Sequence, residues 1–112
     1  MGFEYRAKVS DEAKSQIDEI CDYIKIVLLN PDAAKNFLFE FETKKERLGC
    51  MPHGYPKSPY DSDFRMCMVK NYIAFFLIDE EKKEVVVECV SYGPRNHGEI
   101  LPKFKNKFSK NT

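Results

Sequence analysis

DFRMCMVKNYIAFFLIDEEKKEVVVECVS, residues 63–91, decides the fold. It holds three runs rich in β-branched and aromatic side chains, 63–69, 72–78 and 85–91, separated by Lys70-Asn71 and by the charged DEEKKE run at 79–84. Strand-forming runs joined by breaks this short pair with their sequence neighbours, so the stretch predicts a three-stranded antiparallel meander. Gly93-Pro94 ends the last strand. Upstream, residues 49–62 carry Pro52, Pro56 and Pro59 with Gly49 and Gly54, a composition that predicts a surface loop without regular structure.

Further upstream the hydrophobic period changes from two to about 3.6. Residues 31–48 place Ala34, Phe37, Leu38, Phe41 and Leu48 on one helical face, with Asn30 as N-cap, Pro31 in the first turn and Gly49 at the C-cap. Phe37, Phe39 and Phe41 cannot all share that face, which leaves Phe39 for the rim of the core or for a partner. Before it, Ser10 caps a helix that opens with Asp11 and Glu12, acids suited to the positive end of a helix dipole. Ala13, Ile17, Ile20, Ile24 and Val27 or Leu28 form its inward stripe, to about Leu29. Residues 3–9 alternate Phe3, Tyr5, Ala7 and Val9 against Glu4, Arg6 and Lys8, as a half-buried strand does. The predicted class is α+β: a helical hairpin packed on one face of a mainly antiparallel four-stranded sheet, in the order β-α-α-β-β-β, with the other face partly free.

The chain has 112 residues, is 43% hydrophobic, and balances 18 basic against 18 acidic groups. That is one ordinary globular domain, assigned to residues 1–101, with a lysine-rich tail at 102–112. A net charge of zero excludes nucleic-acid binding by bulk charge, so any such contact is local. Cys21, Cys50, Cys67 and Cys89 show neither a C-x-x-C pair nor zinc-type spacing and read as reduced thiols; no metal and no cofactor are expected. Residues 1–9 lack the apolar core of a signal peptide and no run is long enough to cross a bilayer, so the expected location is cytoplasmic, without membrane contact.

Chemistry concentrates late in the chain. Arg65 sits inside a strand, where a charge needs solvent, a partner or an anion, and Arg95 and His97 follow the last strand in YGPRNHGEIL (92–101). Two guanidiniums, which hold phosphate oxygens in planar two-point contacts, and an imidazole able to exchange protons near neutrality suit phosphate chemistry. Both arginines are expected to project from the exposed sheet face or its edge. Each has a plainer reading as well: Arg65 pairing with Glu88 or Asp63, Arg95 anchoring an acidic partner, His97 as an exposed loop residue. His53 is read as an ordinary loop histidine.

The order and spacing of SDEAKSQIDEICDYI, NPDAAKNF, LGCMPHGYP, FRMCMVKNYIAFFLID and VECVSYGPRNHGEIL resemble the RelE/ParE toxins of bacterial toxin–antitoxin pairs, over nearly the whole chain. In that family RelE-like members cut messenger RNA on the ribosome, and ParE-like members poison DNA gyrase. The resemblance implies an antitoxin partner and matches Arg65 and Arg95 to the family's arginine positions. It puts His97 near a tyrosine or histidine of the RNA-cutting members. The nuclease reading is slightly favoured here, the alternatives being non-enzymatic gyrase inhibition and a non-toxic relative that only binds its antitoxin; on the nuclease reading the ribosome and mRNA are partners and cleavage needs no metal. Arg65 and Arg95 would then offset the developing phosphate charge, His97 would move the proton, and Lys57, Tyr60 and Tyr92 would contact backbone or bases. Lys57 is the only lysine in a loop where RelE-like members often carry two or more basic groups.

Overall fold

A computed structural model describes residues 4–93. Its elements are β1 (Arg6–Val9), α1 (Asp11–Asp22), a π turn (Tyr23–Val27), α2 (Pro31–Leu48), a short 3-10 turn (Pro52–Gly54), β2 (Arg65–Val69), β3 (Tyr72–Asp79) and β4 (Glu84–Tyr92). The sheet order is β1-β4-β3-β2. The meander is antiparallel, while β1 joins β4 in parallel. The expected α+β architecture and element order are therefore present. Arg95, His97 and the 102–112 tail lie outside the described residues.

Both helix starts follow from their caps. Ser10 Oγ accepts the Ala13 amide at 3.1 Å, and Asn30 Oδ1 accepts that of Ala33 at 3.1 Å. The α1 stripe holds as far as Ile24, but Val27 and Leu28 face outward, against the sequence expectation. The cause is the π turn: Leu28 N–H reaches Tyr23 O at 3.1 Å, five residues back, which adds a residue to the turn and rotates the succeeding side chains out of the stripe. Leu38 is also outward, because the buried stripe of α2 runs Ala34, Phe37, Phe41, Leu48 and Leu38 falls one position round from it. Phe39 is 74% exposed. The 49–62 loop holds more order than its composition suggests: besides the 3-10 turn, Lys57 forms an antiparallel bridge to Arg65.

The hairpin covers one sheet face, where Ile17, Phe37, Phe41 and Leu48 meet Cys67, Phe76, Val85, Val87 and Val90. The second face is closed as well, not partly free: Phe64, Phe75 and Cys89 are fully buried, with Ile73 and Leu77 nearly so. A strand buried on both faces loses its alternation, which is what IAFFLI in β3 displays.

β4 carries one irregularity that matters for the site. Phe75 pairs with Cys89 but Phe76 with Val87, leaving Glu88 as the extra residue of a β-bulge. The bulge switches parity, so Val85 and Val87 share the hairpin side with Val90. It also disturbs the ladder, and the start of α1 supplies partners there: Gln16 Oε1 accepts the Val90 amide at 2.8 Å, and the Ser10 hydroxyl donates to Glu88 O at 3.4 Å. Burial pushes the Glu88 carboxyl above its ordinary range.

Candidate functional site

The sequence-predicted residues divide between two ends of the meander. Arg65 opens β2 opposite Phe76, whereas Tyr92 closes β4 level with Tyr72 and Val69. Four residues of strand separate those levels, roughly 13 Å at the usual rise.

At the first end, alternation with Cys67 and Val69 puts Arg65 on the hairpin side of an edge strand; of the two placements expected, the exposed face or the edge, the structure has the edge. Its Nη1 donates to Tyr55 O at 2.7 Å and to His53 O at 3.3 Å, so the guanidinium braces the proline-rich loop from beneath. The loop runs beside β2 through Ser58 N–H to Phe64 O, 2.7 Å, and Met66 N–H to Pro56 O, 3.0 Å. Lys57 lies exposed on this strip. Tyr60, 46% exposed, sets its ring edge-on to Phe75 with centroids 6.4 Å apart, so it caps the second core while keeping a solvent-facing side.

His53 is more than an ordinary loop residue. Its Nε2 lies 2.6 Å from Glu80 Oε2, and Tyr5 donates its hydroxyl to Glu80 Oε1 at 2.7 Å. The Tyr5 and His53 rings meet edge-on at 5.8 Å, and Lys83 Nζ stands 5.1 Å over the Tyr5 ring. The hydrogen bond to Glu80 pushes the Tyr5 phenol up to about 12 and draws the Glu80 carboxyl below its ordinary value. Sequence separations of 27 and 75 residues gave no sign of this cluster.

At the other end, Tyr92 is 48% exposed and packs edge-on to Tyr72 at 5.6 Å. Both belong to the wall of an open groove of about 760 Å³ between the hairpin and the β2–β3 turn. The bulge at Glu88 is what turns Tyr92 toward this hairpin side. Gly93 follows because its amide bonds Asn71 O at 3.0 Å, and a β-carbon there would stand 3.2 Å from that oxygen. Among the described residues no cluster of His, Cys, Asp and Glu could hold a metal, and no helix is long and apolar enough to cross a membrane.

Comparisons with known proteins agree with this geometry. The family described as "ParE toxin of type II toxin-antitoxin system, parDE" matches residues 7–95. A structure of the chromosomal ParDE system from P. aeruginosa superposes with a TM-score of 0.68 at 17% identity, covering 80% of this chain and 96% of that one. The archaeal RelE–RelB complex from Pyrococcus horikoshii OT3 superposes with a TM-score of 0.54 at 12% identity, covering 83% and 99%. Identities this low carry the fold and not the target. No curated protein sequence matches. With the family match spanning most of the chain and the hairpin-on-sheet fold common to both structures, the chain belongs to the ParE family, toxins of type II toxin–antitoxin systems.

Proposed function

We propose that this toxin is ParE-like in mechanism, arresting growth through DNA gyrase without cutting RNA. The observation that carries the reading is the placement of Arg65: its Nη1 is engaged by two loop carbonyls, on the hairpin side and roughly 13 Å along the strands from Tyr92. A guanidinium whose Nη1 already serves two carbonyls braces the loop, and that role accounts for Arg65 without a scissile phosphate. The family match and the zero net charge of the chain support the same reading. The test is purified gyrase with plasmid DNA, ATP and the full chain. Accumulation of cleaved DNA, with messenger RNA 5′ ends unchanged in expressing cells, is expected; new codon-phased ends with intact DNA would overturn it.

One observation favours the nuclease. A carboxylate-held imidazole on a loop whose carbonyl is gripped by an arginine has the makings of a proton-transfer group, with Glu80 orienting His53 as carboxylates orient catalytic histidines elsewhere. In that case ribosome-dependent cleavage falls in His53→Ala and Glu80→Gln, with Arg65, Arg95 and His97 still to be tested alongside.

A further inference from the structure

The groove of about 760 Å³ at the Tyr92 end is of the size that holds small molecules. Its floor is apolar, with Ile24 and Phe37 buried, but its rim is not. Three tyrosines gather there: Tyr23 and Tyr92 are each about half exposed, and Tyr72 packs edge-on against Phe37 at 5.2 Å and against Tyr92 at 5.6 Å. Burial pushes the Tyr72 phenol up, and the Tyr23 and Tyr92 phenols add to the rise, so the three are close neighbours. The lining also holds the amides of Asn36 and Asn71 and one ammonium, Lys70, with no carboxylate. Among the described residues Lys70 makes no ion pair, and the Tyr23 and Tyr72 hydroxyls and the two side-chain amides make no hydrogen bond. Lys70 stands at φ 57, a left-handed conformation that glycine takes at lower cost, so the turn itself does not call for a lysine.

We propose that this groove binds a nucleotide, with the base against the tyrosine rings, its edge toward the asparagine amides and its phosphate on Lys70. The site stands apart from the choice of gyrase as the toxin's target. A base suits the tyrosines because every base has a π-face, and stacking on an aromatic ring is tolerant of which base it is. An amide carries both a donor and an acceptor, as the edge of a base does, so Asn36 and Asn71 can meet it. The anion is drawn by an ammonium flanked by phenol donors, with no carboxylate in the lining to repel it. A wholly aliphatic ligand would cover the amides and hydroxyls without bonding them, and that desolvation is costly. One local phosphate contact is compatible with a chain of zero net charge. The nucleotide is either free in solution or one unit of a single strand, and the chemistry at the groove is the same for both.

The test titrates the purified full chain calorimetrically with AMP, GMP, CMP and UMP, and in parallel with adenosine, inorganic phosphate and a single-stranded trinucleotide. At least one mononucleotide is expected to bind with a Kd below about 1 mM, more tightly than adenosine or phosphate alone. Lys70→Gln should weaken the mononucleotide about tenfold and leave adenosine unchanged, whereas Tyr23→Ala should weaken both about tenfold. Lys35→Gln, exposed on α2 and outside the groove lining, is the control and should change neither. All three substitutions fall on exposed side chains, and melting curves check that the fold is kept. Failure of all four mononucleotides to bind the wild-type chain overturns the proposal without recourse to a variant. So does phosphate binding as tightly as the mononucleotide, or equal weakening in Lys70→Gln and Lys35→Gln. A trinucleotide that binds more tightly than the mononucleotide, and loses affinity in Tyr23→Ala, supports the site and names a single strand as the source; equal affinities support it with a free nucleotide. Trinucleotide binding that Tyr23→Ala leaves unmoved belongs to another surface and counts against the groove.

Discussion

Replacing Gln16 by methionine keeps its length and bulk but deletes the oxygen that accepts the Val90 amide at 2.8 Å. Val90 is 2% exposed, so water has little access to that N–H once the acceptor is gone. Losing one net hydrogen bond costs about 1 kcal/mol, and stranding a buried donor adds a further contribution of about the same size, giving roughly 2 kcal/mol. For a domain near 100 residues each kcal/mol moves the melting temperature by about 4–8 °C, so a fall on the order of 10 °C is expected. Calorimetry and urea unfolding would measure it, with the midpoint shifted and the slope unchanged. Gln16→Glu, which retains an acceptor oxygen at the same reach, should recover most of the loss. Amide exchange at Val90 should accelerate in the methionine variant alone. A Gln16→Met protein within about 0.5 kcal/mol of wild type would refute the reasoning, because the bulge would then not depend on α1 for its hydrogen bonding.

Two further outcomes rest on the side chains around the sheet. Tyr5 titrates at about 12 in the fold against an ordinary value of 10.0, so its contribution is complete below about pH 10 and is lost as pH rises through 12. The alkaline fall in urea midpoint should therefore be shallower in Tyr5→Phe than in wild type, and an identical slope between pH 10 and 12 would count against the Tyr5–Glu80 bond. Ser91 is buried and its Oγ has no partner among the described residues, so Ser91→Ala should raise stability by about 1 kcal/mol in the same assay; a loss would mean that the hydroxyl has a partner in solution.

Most of the architecture was legible because it depends on local chemistry. Ser10, Asn30 and Pro31 announce the helix starts, and the Lys70-Asn71 break announces the β2–β3 turn. The closure of the second face was missed, since that face was expected to be partly free, although the absence of alternation in IAFFLI carries the signal of burial on both sides. The π turn was not legible: Val27 and Leu28 continue a 3.6-residue stripe, and only the backbone bonding shows that the stripe has rotated. The candidate site was harder still. Arg65, Lys57, Tyr60 and Tyr92 were identifiable as polar or aromatic groups on strands and loops. Which of them converge depends on register, and the register places Arg65 and Tyr92 at opposite ends of the meander. Arg65 bonding to the carbonyls of His53 and Tyr55, and Glu80 holding His53, are consequences of the folded loop with no motif to announce them.

The parallel seating of β1 against β4 bears on how the toxin comes into being. Arg6 and Glu84 are register partners 78 residues apart, so the first strand made needs the last strand before it has a strand neighbour. Closing so long a loop is slow compared with forming the hairpin or the meander, which are local. The Arg6 and Lys8 bridges to Glu84 likewise need both ends of the chain. A chain truncated before β4 therefore lacks the strand against which β1 is seated, while the sequence of the α1–α2 hairpin is complete well before it.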